Sequence, residues 1–166
     1  SEVTISYWVR TPDEVQNQTI LAMIGPEDEE ADRKKTGWDI LGHVRGGFRF
    51  HVYDAEGEKI ENLMPGETPL RRRAWQHVAI RYSGGMSDSS MTFHVDGERR
   101  HGGYGNDNLS ESPRFGDHLP SELQLGRSAA TGGISDVRIY SRHLAEDEIA
   151  LLADEFELRE LLSERP

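Results

Sequence analysis

The amino-acid sequence predicts an all-β protein, an antiparallel two-sheet sandwich with an α-helix at its C-terminal end. Three features carry that prediction. Short stretches alternate apolar and polar residues, which buries one side of each strand. Glycine, present 17 times, separates those stretches as turns between strands require. From Ala145 onward the alternation stops, and Ile149, Leu152, Phe156 and Leu161 recur at helical spacing behind a group of acidic residues. A chain of 166 residues fits one compact unit with a continuous core. The expected organisation is a sandwich over residues 1–144 and a helical segment over residues 145–166, packed on the sandwich or leading out of it.

In order along the chain, Val3, Ile5, Tyr7 and Val9 alternate with Thr4, Ser6, Trp8 and Arg10, which predicts a first strand that ends before Pro12. An apolar run from Thr19 to Ile24 predicts a second. The charged, aperiodic stretch from Pro26 to Thr36 reads as a solvated loop. Two strands then meet near Gly46-Gly47, a pair suited to the positive φ angles of a tight hairpin. On the later strand Phe48, Phe50 and Val52 share one side, and Arg49, His51 and Tyr53 the other. Asp54 to Glu58 is a turn, and Leu63 to Arg73 a loop holding Pro65 and Pro69. Alternation resumes from Trp75 to Tyr82, whose partner is Met91 to Val95 leading into Asp96-Gly97. Arg99 to Pro120 reads as one long connection, the kind of segment that carries specificity. Leu123 and Leu125, then Ile134, Val137 and Ile139, mark the closing strands. Phe48, Phe50, Val52, Val78, Ile80, Phe93, Val95, Leu125, Val137 and Ile139 are expected between the sheets.

Composition narrows the function. Apolar residues at 35% and charged residues at 30% describe a folding chain rather than a disordered one. A formal charge of -11 opposes binding to nucleic acid or to an anionic membrane surface. The absence of cysteine excludes disulfides, thiolate zinc sites and thiol nucleophiles. No apolar run approaches the ~20 residues that span a bilayer, so membrane insertion is not expected. Ser1-Glu2-Val3-Thr4 reads as strand rather than signal peptide, and the chain is expected to come from a longer protein.

Taken in sequence, Thr4-Ile5-Ser6-Tyr7-Trp8-Val9-Arg10, Trp75-Gln76-His77-Val78-Ala79, Phe93-His94-Val95-Asp96-Gly97, Leu123-Gln124-Leu125-Gly126 and Ile134-Ser135-Asp136-Val137-Arg138-Ile139-Tyr140 resemble the laminin-G-like, concanavalin A-like jelly-roll family in order and spacing. Ser141-Arg142-His143-Leu144-Ala145-Glu146-Asp147-Glu148-Ile149 resembles the turn and short helix that close that sandwich. The resemblance implies a strand ahead of Thr4, so that either the chain begins late or the sheet is incomplete at that edge. It also implies carbohydrate or protein binding, adhesion, or an accessory role in a secreted enzyme, and an extracytoplasmic location that is periplasmic, cell-surface or secreted. Calcium held by loop oxygens belongs to the same implication, with Asp136, Asp107, Asn106 and Asp39 as candidate ligands. Ser135 stands where an acidic residue is common. Leu151 to Leu162 resembles the junction that follows such modules in large bacterial proteins carrying cytochrome-c-like domains.

Catalytic signatures are missing. A glycosidase on this architecture sets closely spaced carboxylates along one strand to flank the scissile bond, and no strand here carries such a pair. The acidic clusters Glu27 to Glu30, Glu146 to Glu148 and Asp154 to Glu157 fall in loop or helical context and suit solvated faces. A serine-nucleophile motif, a phosphate-binding glycine loop and a zinc-protease helix are absent as well.

Opposite the expected core, Arg49, His51 and Tyr53, then His77 and Arg81, then His94 and Asp96 fall on the outward sides of their strands. On neighbouring strands they would form one basic, hydrogen-bonding surface on an acidic body, suited to an anionic sugar or a carboxylate. They are equally ordinary as outward-facing polar residues. A metal site from His51, His77 and His94 would require convergence within ~2.1 Å of one ion. For stacking against a pyranose ring the candidates are Trp38, Tyr53, Trp75 and Tyr104, of which Trp75 is set aside because it, like Trp8, resembles a core position of that family. Tyr104 and Asn106 lie in Gly102-Gly103-Tyr104-Gly105-Asn106-Asp107-Asn108, which reads either as a sugar-contacting loop or as a plain turn-rich one. The leading expectation is a noncatalytic carbohydrate-recognition module that requires no cofactor. Its rival is a structural or protein-interaction domain whose partners are other domains of its parent.

Overall fold

The computed structural model describes residues 2–12, 19–25, 35–43, 47–54, 56–64, 70–102, 105–107, 109, 122–126 and 132–163. Among these residues eleven strands, one short 3-10 turn (Asp88–Ser90, between β6 and β7) and one α-helix follow in order: β1 (Val3–Arg10), β2 (Thr19–Ile24), β3 (Gly37–Gly42), β4 (Phe48–Tyr53), β5 (Lys59–Leu63), β6 (Trp75–Tyr82), β7 (Met91–Val95), β8 (Glu98–Arg100), β9 (Gly105–Asp107), β10 (Gln124–Leu125), β11 (Gly133–Tyr140) and α1 (Glu146–Ser163). Two antiparallel sheets form, one ordered β11-β1-β6-β7-β8 and the other β10-β2-β3-β4-β5-β9.

The period-two pattern places the core between them. Ile5, Tyr7 and Val9 on β1, Val78, Ile80 and Tyr82 on β6, and Phe93 on β7 meet Leu21, Trp38, Ile40, Phe48, Phe50, Val52 and Ile60 from the second sheet. Phe48 and Phe93 join the sheets edge to face, with ring centres 5.3 Å apart, an arrangement favoured by the ring quadrupoles. Eight of the ten expected core residues lie here. Two do not. Leu125 is 57% exposed and Ile139 43%, because each stands on an edge strand that has a sheet neighbour on one side only. Val137 stays half-buried against the core at a bulge, where Asp136 takes φ +48° and the register with β1 shifts between Ser6 and Trp8.

Three strands depart from the expected plan. β5 lies just ahead of the expected loop, and β8 and β9 lie at the start of the long connection. β1 has neighbours on both sides, so the edge strands of its sheet are β11 and β8 rather than β1.

The helix starts by a recognisable device. Glu148 accepts the Ala145 backbone N–H at 2.8 Å, the returning half of a capping box. Leu144, just before the cap, and Ile149, in the first turn, pack with Ala79 in a second apolar cluster, a hydrophobic staple that also fastens the helix to the sheet. Gly97, at φ +78°, lets Ala150 approach, since a Cβ there would lie 3.2 Å from the Ala150 Cα.

Candidate functional site

The sandwich has two outward faces, and the expected basic residues divide between them. Arg49, His51 and Tyr53 belong to β4 in the six-stranded sheet, whereas His77 and Arg81 on β6 and His94 on β7 belong to the five-stranded sheet. The shared basic surface therefore does not form. A metal site joining His51, His77 and His94 is excluded for the same reason, because the core lies between His51 and the other two rings.

The outer face of the five-stranded sheet is covered. Arg81 donates to the Leu144 carbonyl at 3.0 Å and to Glu146 at 3.3 Å, which ties β6 to the start of α1. His94 is fully buried with no hydrogen bond to either ring nitrogen, and the Glu146 carboxylate lies 4.0 Å away. Burial, aided by the Arg81, Arg99 and His143 charges, lowers its pKa to about 4 against the pull of Glu146. His77 is buried beside Ser6, 2.8 Å from Nε2, and burial together with Arg138 lowers its pKa to about 4 against Asp96 and Asp136. Asp96 serves the fold, accepting the His77 backbone N–H at 2.9 Å and the Gln76 amide at 2.9 Å.

The outer face of the six-stranded sheet is built differently. Register aligns Gln124, Ala22, Asp39, His51, Glu61 and Asn106 in one row that crosses all six strands. His51 stands at its centre. Its Nδ1 lies 2.7 Å from Asp39 Oδ1 and its Nε2 lies 2.8 Å from Glu61 Oε2. Each ring nitrogen of His51 thus faces a carboxylate oxygen, so the ring bridges the two acidic side chains. Lys35 reaches Asp39 at 3.3 Å and the Tyr53 hydroxyl at 2.9 Å, and Lys59 reaches Glu61 at 3.3 Å. For Asp39 burial favours the neutral acid, but the hydrogen bond and charge of His51, with Lys35, outweigh it and hold the carboxyl below its ordinary range. Glu61 is lowered in the same way, burial being overcome by His51 and Lys59. Both are anions near neutral pH, and neither is a general acid there.

Beside this polar row runs a mixed one, Leu41, Arg49 and Leu63 in register. Both leucines are half-buried on the same outward face. The site thus combines an apolar shoulder with a dense field of charged hydrogen-bonding groups. Glu61, Lys59, Lys35, Leu41 and Leu63 were not among the residues the sequence singled out. The alternation of Lys59, Glu61 and Leu63 about Ile60 was the signal for three of them.

Other candidates fall elsewhere. Trp38 is 1% exposed and packs 6.3 Å from the Phe50 ring, so it is core rather than a stacking platform. Tyr53 is buried under Lys35, whose Nζ lies 4.4 Å over the ring. Trp75 lies against Gly133 on the five-stranded sheet. Tyr104 lies outside the described residues, and Asn106 and Asp107 are placed by backbone alone, in β9. Asp136 and Asp107 occupy different sheets, and the Asp136 carboxylate is gripped by Arg138 at 2.9 and 2.8 Å, so the two do not form one calcium site. Among the described residues no three His, Cys, Asp or Glu side chains are grouped to hold a metal ion, and no helix is long and apolar enough to cross a membrane.

Comparison with known proteins agrees with the architecture. The receptor binding domain of botulinum neurotoxin D superposes with a TM-score of 0.66 at 14% identity, over 95% of this chain and 38% of that one. The Ruminococcus gnavus IT-sialidase CBM40, solved bound to alpha2,3 sialyllactose, gives 0.62 at 16% identity, over 92% of this chain and 82% of that one. The binding domain of botulinum neurotoxin serotype G gives 0.57 at 15% identity, over 93% and 36%. This chain spans little more than a third of the toxin binding domains. These likenesses are of fold. No curated protein matches the chain. A family model matches residues 1–150, every strand of the sandwich and the start of α1, and with the two antiparallel sheets it places the chain in the Concanavalin A-like lectin/glucanases superfamily, within its Laminin_G_3 family.

Proposed function

We propose that this domain is a noncatalytic recognition module that binds carbohydrate on the outer face of its six-stranded sheet, within a larger extracytoplasmic protein. The observation that carries this reading is the Asp39, His51 and Glu61 row with Lys35, Lys59 and Arg49 around it. A sugar presents hydroxyls on its rim and C–H groups on its faces. Charged donors and acceptors beside Leu41 and Leu63 complement both. α1 packs on the opposite side, against β6, and on this face the Lys35, Arg49, Lys59 and Glu61 side chains stay partly exposed. Superfamily membership and the sialyllactose bound by the similar CBM40 support the same class of ligand. Two carboxylates held ionised favour recognition over glycoside hydrolysis, which needs one of them as a proton donor. No cofactor is required by this site, and calcium is expected to be dispensable.

Screening the domain on neutral, uronic and sulfated glycans, with calcium and with chelator, tests the proposal. Binding should appear in both conditions and weaken about tenfold or more on Glu61→Ala, which removes a charged hydrogen-bonding group. Arg142→Ala, on the helix side of the molecule, should leave affinity unchanged. Silence across the whole set would turn the reading to a structural domain whose sheet face contacts other domains of its parent.

A further inference from the structure

Resting on the reading of the six-stranded sheet as a carbohydrate face, we infer that its sugar ligand carries a carboxylate and that Arg49 receives it. Arg49 projects from the centre of the Leu41, Arg49 and Leu63 row, and its side chain is 33% exposed. Its Nε is buried without a hydrogen-bond partner. The carboxylate nearest to it among the described residues is Glu61, whose Oε1 lies 3.7 Å from Nε, beyond hydrogen-bonding length.

Three of the four neighbouring carboxylate oxygens are already hydrogen-bonded. Glu61 Oε2 takes His51 and Lys59, Asp39 Oδ1 takes His51, and Asp39 Oδ2 takes Lys35 and Tyr53. Among the described residues three cationic side chains, Lys35, Arg49 and Lys59, together with the His51 ring, face two carboxylates. Among the described residues the local balance is positive, on a chain whose formal charge is -11. Among the described residues no acceptor lies within hydrogen-bonding length of the Arg49 Nε, and Glu61 Oε1 faces it only as a longer ion pair.

A guanidinium presents parallel N–H groups in a planar fork that matches the two oxygens of a carboxylate, and a neutral hydroxyl satisfies only one of them. Leu41 and Leu63 on either side reduce local solvation, which strengthens a charge-assisted bond and raises the cost of leaving the fork unfilled. The ligand class is then an acidic sugar such as a uronate or a sialate. The acid group sits at Arg49, and the hydroxyls extend along the Asp39, His51 and Glu61 row.

Calorimetry with uronate- and sialate-terminated oligosaccharides and their methyl esters tests this directly. The ester keeps the ring and hydroxyls and removes the charge. An acid should bind about tenfold or more tightly than its ester. Arg49→Ala should bring the acid down to ester-level affinity, and Arg49→Lys, which keeps the charge but loses the fork, should recover only part of the difference. Far-UV circular dichroism matching the parent certifies that each variant is folded. Equal affinity for acid and ester, or discrimination that survives Arg49→Ala, would overturn the role of Arg49 while leaving carbohydrate binding intact. No binding of acid, ester or any other glycan would overturn the carbohydrate reading and this inference with it.

Discussion

His51 is the residue on which the candidate site turns. Its ring is 5% exposed and lies between Asp39, itself 4% exposed, and the more open Glu61. A buried ion pair contributes little net stability over an apolar equivalent, yet removing one member leaves a desolvated charge. His51→Gln keeps comparable size and one donor group but takes away the ring that bridges the two carboxylates. It should cost roughly 3 kcal/mol in urea unfolding at pH 7. The pH dependence has a definite sign. Asp39 and Glu61 are held below their ordinary range in the folded chain. Their contribution is therefore full above the ordinary carboxylate range near pH ~4 and fades as pH falls through the folded values. In the His51→Gln variant that acid-side loss should be smaller. A variant as stable as the parent, with the same acid profile, would show that the chain of contacts does no structural work.

At the scale of elements, α1 is held to the five-stranded sheet by a narrow contact that buries histidine. Leu144 and Ile149 supply the apolar part, Arg81 the polar part, and His94 is enclosed with no hydrogen bond to its ring. The groups that face His94 are Arg81 on β6, Arg99 on β8, His143 before the helix and Glu146 at its start. With a folded pKa of about 4 against ~6.5 unfolded, the unfolded chain takes up the proton first. Stability from this residue is thus complete above pH ~6.5 and declines as pH falls towards 4, by about 2 kcal/mol at pH 5. His77 adds a similar decline through its own lowered pKa of about 4. Urea unfolding at pH 7.5 and 5.0 should show the domain markedly weaker in acid, and His94→Leu should reduce that difference. An unchanged difference in the variant would place the acid sensitivity elsewhere.

At the scale of the whole molecule, the sandwich and its core were legible in the sequence because alternation is a local signal. Phe48, Phe50 and Val52, like Val78 and Ile80, announce which side is buried without any knowledge of their partners. Strands with little apolar content escaped. β5 turns only Ile60 and Asn62 inward, and Asn62 is buried by donating to the Asp88 carbonyl at 3.0 Å, a long-range partner that no local pattern reveals. The candidate site was half legible for a related reason. Parity along each strand placed Arg49, His51, His77, Arg81 and His94 outward, but which sheet a strand joins depends on pairing across tens of residues. β4 therefore could not be separated from β6 and β7 by pattern alone. The separation of a polar six-stranded face from the five-stranded face that carries the helix came only with the topology. The most direct test of that assignment is hydrogen exchange with and without a bound acidic oligosaccharide. Added protection at β3, β4 and β5 around Asp39, His51 and Glu61, with β6, β7 and α1 unchanged, is the predicted result. Protection confined to β6, β7 and α1 would contradict it.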